Sequence, residues 1–314
     1  RMKRFAPILA TIFLVTIVSG AGEESPDTTG GGSGAQGRPA TAPPGLPSPL
    51  SFEASVQWFA PADIEGSDGD VADSEFGASA SYTRFSPPGT RYGLRARYRH
   101  TVYDLNAPAP IGGSFESVNR FNLEGFLNAP LNDRWGFDGL LLTSWQAAED
   151  ASLGDGFNAL VSTGISYQFS PTFRASALLL AFYRPQDDPL IIPVPSFRWT
   201  PNQRLTVFSA NGVFANHLAL PEADLSLVGS VTYTSRGFAV DDLVGFRETE
   251  GAVEESFVEW ELGLRKGLGR HFSATIKVHA ITFREFEYLN DGDDFESFET
   301  EPTVGLSAAF RWRF

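Results

Sequence analysis

From residue 50 to the end, hydrophobic and polar positions alternate in short runs. The clearest run is the last, where Val304, Leu306, Ala308, Phe310, Trp312 and Phe314 are apolar. The residues between them, Thr303, Gly305, Ser307, Ala309, Arg311 and Arg313, are small, polar or basic. Successive side chains of a strand point to opposite faces, so this pattern predicts a strand with one greasy and one wet face. In 91–103, Tyr92, Leu94, Ala96, Tyr98 and Val102 alternate with Arg91, Arg95, Arg97, Arg99 and Thr101. The segments 256–266 and 271–283 repeat the pattern. Weaker versions cover 50–60, 76–86, 118–128, 134–147, 157–169, 172–183, 190–200, 203–210, 213–219 and 225–239. The total is fourteen candidate strands, and the short pair at 203–219 leaves twelve as the alternative.

The connections predict how the strands are joined. Ser86-Pro87-Pro88-Gly89, Pro130-Leu131-Asn132-Asp133, Ser170-Pro171-Thr172, Thr200-Pro201-Asn202-Gln203 and Gly267-Leu268-Gly269-Arg270 are tight turns. Longer loops fall near 61–75, 104–117, 148–156, 184–189, 240–255 and 284–302. Asn211-Gly212 is a hairpin signal of the type I′ kind. Short turns at one rim, long loops at the other and a final aromatic strand describe an outer-membrane barrel. A soluble sandwich shows the same alternation but has no use for an aromatic terminus. The expected fold is all-β: a single antiparallel transmembrane β-barrel of 12–14 strands, with short periplasmic turns and longer acidic outer loops. Phe310, Trp312 and Phe314 are expected to serve as its C-terminal barrel-assembly signal.

Composition changes this picture little. The chain has 314 residues, no Cys and a net charge of −14, which excludes disulfides and thiol chemistry and argues against nucleic-acid binding. Lys3 and Arg4 precede an apolar run from Phe5 to Val18 and a small-residue site at Ser19-Gly20-Ala21, so residues 1–21 read as a signal peptide. Residues 22–48 are Gly, Ser, Pro, Thr and Ala, a composition that cannot offset its ordering entropy, and read as a disordered periplasmic tail. The barrel is then 49–314.

The run Ser170-Pro171-Thr172-Phe173 to Tyr183-Arg184-Pro185, then Pro189 to Pro195 and Phe197-Arg198-Trp199-Thr200-Pro201-Asn202, carries a family likeness. With Phe283-Arg284-Glu285-Phe286-Glu287-Tyr288, it resembles an uncharacterised bacterial outer-membrane β-barrel family, a domain of unknown function, best over about 160–290. The Asn211-Gly212 turn departs from it, standing where that family has a Pro-rich bend, and the strand after it is poorer in aromatics. The resemblance implies an outer-membrane location and a barrel fold, and brings no catalytic residues.

The chemistry-bearing residues fall in two groups. Arg95, Arg97 and Arg99 share one strand face, to which the next strand adds Arg120, Asn122 and Glu124. With Glu259, Glu261, Arg265 and Lys277 they are candidate pore-lining residues. Unpaired, the arginines would favour anions; paired with Glu124, Glu259 and Glu261, they would brace a filled interior. The acidic residues cluster around 63–75, 241–255 and 291–301, in expected outer loops that would face solvent or, through cations, lipopolysaccharide. No GxSxG or HExxH motif is present among the 4 His and their neighbours, although His100 with Asp104 lies nearest the outer rim. No catalytic residue, cofactor or metal ligand is expected. The expected function is a passive channel for small, potentially anionic solutes, with membrane lipid, lipopolysaccharide and the barrel-assembly machinery as partners. The alternatives are a closed adhesion or structural barrel and a hydrolase at the rim.

Overall fold

A computed structural model describes residues 50–314 except 88, 107–114, 185–186, 211, 241–250 and 291–292. The expected signal peptide and tail lie outside the described residues, as do Asp241, Asp242, Glu248, Glu250 and Asp291.

Every sequence segment read as a strand is one. In chain order they are β1 (Leu50–Asp63), β2 (Asp70–Ser86), β3 (Thr90–Asn106), β4 (Ser117–Pro130), β5 (Trp135–Ala148), β6 (Phe157–Ser170) and β7 (Phe173–Arg184). Then follow β8 (Asp187–Trp199), β9 (Leu205–Ser209), β10 (Gly212–Leu220), β11 (Leu225–Val240), β12 (Gly251–Gly267), β13 (Phe272–Asn290), β14 (Asp293–Thr300) and β15 (Thr303–Arg313). Neighbours in sequence pair antiparallel. β14 and β15 pair with the upper and lower parts of β13, so together they form one stave of the wall. β15 then pairs with β1 from Ser51↔Arg313 to Phe59↔Gly305 and closes the ring. The result is a closed antiparallel barrel of fourteen staves.

Alternation sorts the side chains as the sequence requires. Leu94, Leu141, Val161, Ile165, Leu179, Ile191, Leu262, Ile276 and Leu306 are exposed on the outer face, which is the lipid face of such a barrel. Aromatics mark both margins. At the turn end, Phe272 stacks on Trp312 at 5.8 Å between centroids and Phe52 meets Phe314 edge-on at 5.6 Å. At the loop end, Phe121, Trp145 and Phe157 form a row with centroids 5.7 and 5.4 Å apart.

Three expectations are corrected. Most strands are longer than the ~9–11 residues that cross a bilayer; β13 has 19 residues and β2, β3 and β12 have 17 each. Much of the expected outer loops at 61–75, 184–189 and 284–302 is therefore strand, and only residues 64–69 connect β1 to β2, whereas the expected loop at 148–156 remains a connection between β5 and β6. Next, Gly212 is not in the left-handed region that a type I′ turn demands. Its missing side chain serves a close approach instead, since a Cβ there would stand 2.2 Å from the Val231 carbonyl oxygen. Finally, the wall is uneven. β9 has 5 residues and β8 meets it only at Arg198↔Phe208 and Trp199↔Val207. β11 meets β10 only up to Thr232↔Gly212, then bends across the lumen so that Ala239 bridges Ala147 of β5. Ser235, Ala239 and Ala147 belong to outward-facing sets, yet this bend leaves them 2%, 7% and 1% exposed.

A bulge in β13 adds a local strain. Between Ser256/Val258 and their partners the register shifts, and Phe283 takes φ 56° while standing 80% exposed. That conformation costs a residue with a Cβ about 1–2 kcal/mol. Phe283→Gly is expected to raise the resistance of the refolded barrel to urea by up to about 1 kcal/mol. The check is the midpoint of the gel-mobility shift between folded and unfolded forms.

Candidate functional site: a charge-paired lumen beneath an apolar cap

The sites of interest are on the inward faces. Register puts Arg99 opposite Arg120, Arg97 opposite Asn122 and Arg95 opposite Glu124, the arrangement expected from the sequence. Arg97, Arg99, Arg120, Glu259, Glu261 and Lys277 line a cavity of about 190 Å³ in the lumen. Glu53, Asp73, Glu75 and Arg236 complete its ionisable lining, with His279. The charges thus balance, five carboxylates against five cations. Arg95, Glu124 and Arg265 face the same interior but do not line this cavity.

The arginines are engaged, and the chief partner is one the sequence reading had put in a loop. Glu75 lies 3.3 Å from Arg99, 2.9 Å from Arg120 and 3.8 Å from Arg236. Thr101 donates its hydroxyl to Glu75 at 3.1 Å and accepts a bond from Arg120. Arg95 reaches Glu124 at 3.9 Å. Glu259 and Glu261, the other acids expected to answer the ladder, have further partners of their own. Those two sit with His279 and Lys277 on the adjoining staves: Nδ1 of His279 is 2.9 Å from Glu259, and Nζ of Lys277 is 3.2 Å from Glu261. One ligand atom each from Glu259, Glu261 and His279 falls within 4.8 Å of the others, which is metal-ligand spacing. The ammonium of Lys277 already occupies the cation's place beside Glu261.

Above the cavity lies a second network that sequence reasoning missed. Arg284 is fully buried and reaches Asp73 at 2.6 Å and Glu255 at 2.7 Å. Arg236 bonds Glu255 through Nε and the Tyr103 hydroxyl through Nη2 at 3.0 Å. The Tyr103 hydroxyl in turn donates to Glu255 at 2.9 Å. Charges this deep are tolerated only because each has partners. Asp73, Glu75 and Glu255 are therefore interior counter-ions, not solvated loop acids. The signal for them was present: Val71, Asp73, Glu75, Gly77 and Ser79 keep period two into β2, as do Val253, Glu255, Phe257 and Glu259 in β12.

The outermost layer is apolar. Ile64, Val71, Tyr103, Phe115, Val118, Phe238, Val253, Phe286, Tyr288 and Phe298 form one buried cluster inside the loop end of the barrel. Phe115 meets Tyr103 at 5.1 Å and Phe238 at 5.0 Å, while Phe286 stacks on Phe298 at 4.8 Å. β5–β8 contribute a different sector. Leu142, Leu160, Leu180, Phe182 and Ile192 face inward and are buried together, flanked by Leu140, Leu190 and Val194. The lumen is thus mainly polar around β1–β4 and β11–β13 and has an aliphatic patch at mid-height on β5–β8, above which Ser144, Gln146 and Asn158 are again polar.

The remaining histidines do not line the cavity. His100 points outward and shares Asn119 with Tyr98, at 3.1 and 2.8 Å, while His217 is exposed on β10. His271 bonds the Arg313 carbonyl at 2.8 Å in the closing turn. Phe310, Trp312 and Phe314 are 47%, 41% and 42% exposed on the lipid face.

The networks make unequal predictions. Arg284→Ala leaves Asp73 and Glu255 buried without their shared cation, and is expected to cost about 3–5 kcal/mol of stability. Arg284→Met in company with Glu255→Gln and Asp73→Asn should recover most of that loss. Urea midpoints of the three proteins in detergent micelles decide it; equal midpoints for wild type and Arg284→Ala would show that the network is not a stabilising unit.

No family model matches this chain, and no curated protein matches it. The resemblance drawn from the 160–290 segment therefore stands only at the level of an outer-membrane β-barrel. Among solved structures, the chain is similar to an outer membrane channel from Pseudomonas putida F1, at 8% identity over 86% of this chain and 97% of that one, with a TM-score of 0.49. It is similar to the NanC porin at 10% identity, over 84% and 100% of the two chains and a TM-score of 0.39. Omp33, an outer membrane protein of Acinetobacter baumannii, matches at 10% identity over 86% and 100%, with a TM-score of 0.39. The likeness is one of fold alone, a closed antiparallel β-barrel, and at this distance it says nothing about role or cargo.

Proposed function

We propose that the protein is a passive, non-enzymatic outer-membrane channel of narrow bore for small polar solutes. The observation that carries this reading is the charge-lined cavity of about 190 Å³ in mid-lumen. A barrel serving only as a structural plug gains nothing from keeping polar space beside eleven ionisable groups. Because the Arg ladder is answered by Glu75 and Glu124, its field is largely cancelled, and the reading favours neutral or zwitterionic solutes over anions. Phe310, Trp312 and Phe314 would be read by the assembly machinery, and the remaining exposed acids of the outer end, Glu65 and Glu299 among them, would meet lipopolysaccharide through cations.

The second reading, a closed structural barrel, is favoured by the apolar cluster around Tyr103 and Phe238 that fills the loop end. In a channel this cluster is the gate. Single-channel recording of residues 22–314 refolded into planar bilayers separates the two. The channel reading expects small steps with a reversal potential near zero under a salt gradient, larger steps in Phe238→Ala, and a shift toward cation preference in Arg97→Ala. Folded wild type and folded Phe238→Ala that both stay silent would leave the structural barrel.

A further inference from the structure

The gap in the wall above the β9–β10 hairpin is written into the sequence. The N–H of Phe197 points toward β9, where the Ser209 hydroxyl accepts it at 2.9 Å. Alternate residues of a strand direct their N–H groups to the same side, so Ile191, Pro193 and Pro195 also address that side. β9 does not extend there: its last pairing with β8 is Arg198↔Phe208. Two of the three positions are proline, which has no N–H to leave unsatisfied. Across the gap, the ladder between β10 and β11 ends at Gly212↔Thr232 among the described residues, and β11 next meets a strand on that side at Ala239↔Ala147. This free edge of β8 lies in the membrane layer, between Trp199 of the turn-end aromatic belt and the level of Tyr183, with Ile191 67% exposed. An open sheet edge in hydrocarbon is costly, and the prolines remove two of the three donors at this one place, leaving the carbonyls of the same residues and the Ile191 N–H at the edge.

Behind the edge, the interior is aliphatic. Cross-strand rows run Leu142–Leu160–Phe182–Leu190 and Leu140–Ser162–Leu180–Ile192, with Leu178 and Val194 below them. Around the axial cavity, on β1–β4, β12 and β13, inward positions carry Glu75, Arg97, Arg99, Arg120, Glu259, Glu261 and Lys277, with Phe59, Phe257 and Ile281 as an apolar group among them. An aliphatic lumen wall has no use in conducting polar solutes along the axis.

We propose that this gap is a lateral port, through which an apolar chain from the surrounding bilayer, a lipid acyl chain in the first instance, reaches the aliphatic sector of the lumen. Its occupant follows from position: the edge is flanked by lipid-facing residues, so hydrocarbon abuts it. The port is separate from the axial cavity and does not depend on axial conduction.

Photo-crosslinking tests it without any current measurement. The wild-type barrel is reconstituted in vesicles containing a phosphatidylcholine with a diazirine midway along one acyl chain, irradiated, and mapped by mass spectrometry. Adducts are expected on inward-facing Ile192, Val194 and Leu180 as well as on outward-facing Ile191 and Leu179. The inward face of β2 and β3, Ser79 and Arg97, should stay unlabelled. Ile192→Trp, which fills the entrance, should abolish the adducts on Leu180 and leave those on Ile191 unchanged. Labelling confined to outward positions in wild type overturns the proposal, as does equal labelling of the inward faces of β3 and β8, which would mean general penetration of the wall.

Discussion

The governing constraint is that hydrocarbon offers peptide groups no hydrogen bonds. Every N–H and C=O that faces lipid has to find its partner in the wall, so the wall must close on itself. That closure is made by β1 and β15, whose nine consecutive register pairs join the two ends of the described chain. Much else follows from it. A fourteen-stave ring encloses more volume than aliphatic side chains alone would fill, so the interior must be wet, charge-paired or both. This barrel uses paired charge through its middle and an aromatic layer at its outer end.

The same constraint explains why the irregular part of the wall has the sequence it has. β9 and β10 are short, and β11 turns inward to β5, so a stretch of β8 loses its neighbour. In water such an edge would be blunted with charge; in lipid, charge is itself costly. Proline is the device that remains, because it deletes the donor without adding a polar group. Pro193 and Pro195 stand where the donors would have been stranded, and Ser209 serves the last donor below them.

The wall was legible in the sequence because burial on one face and lipid on the other impose a strict period of two. Turn chemistry at Ser86–Gly89, Pro130–Asp133 and Gly267–Arg270 marked one rim, and alternation put Arg95, Arg97, Arg99, Arg120, Asn122 and Glu124 on one face, while their register against one another came from the fold. The site was legible only in part. Which acid neutralises which arginine depends on stagger around the ring, and β2's Glu75 reaches Arg236 of β11, 161 positions away by number, only once the barrel has closed. The acids of 70–75 and 254–255 have the charge density of loop residues, although they continue the period of two of β2 and β12. Inside an aqueous or paired lumen, though, charge is no argument against a strand. The bend of β11 left no local mark at all, since it arises from a contact between Ala239 and Ala147 on distant strands.

The two ion networks differ in what they permit. Glu75 answers three arginines at the edge of a cavity, where Arg99 keeps some contact with solvent, its side chain 36% exposed. An arrangement of that kind can exchange one partner for a passing solute at little cost. The Arg284–Asp73–Glu255 group has no such freedom, since its members are 0%, 4% and 0% exposed and lie against the aromatic cap. Buried charge of this sort does little for net stability compared with an apolar core, but it strongly penalises any arrangement that separates its members. Its effect is to hold β2, β12 and β13 in one alignment under the cap. Movement that opens the outer end must therefore come from the aromatic layer, or from β11 and its bridge to β5, rather than from the staves that Arg284 ties together.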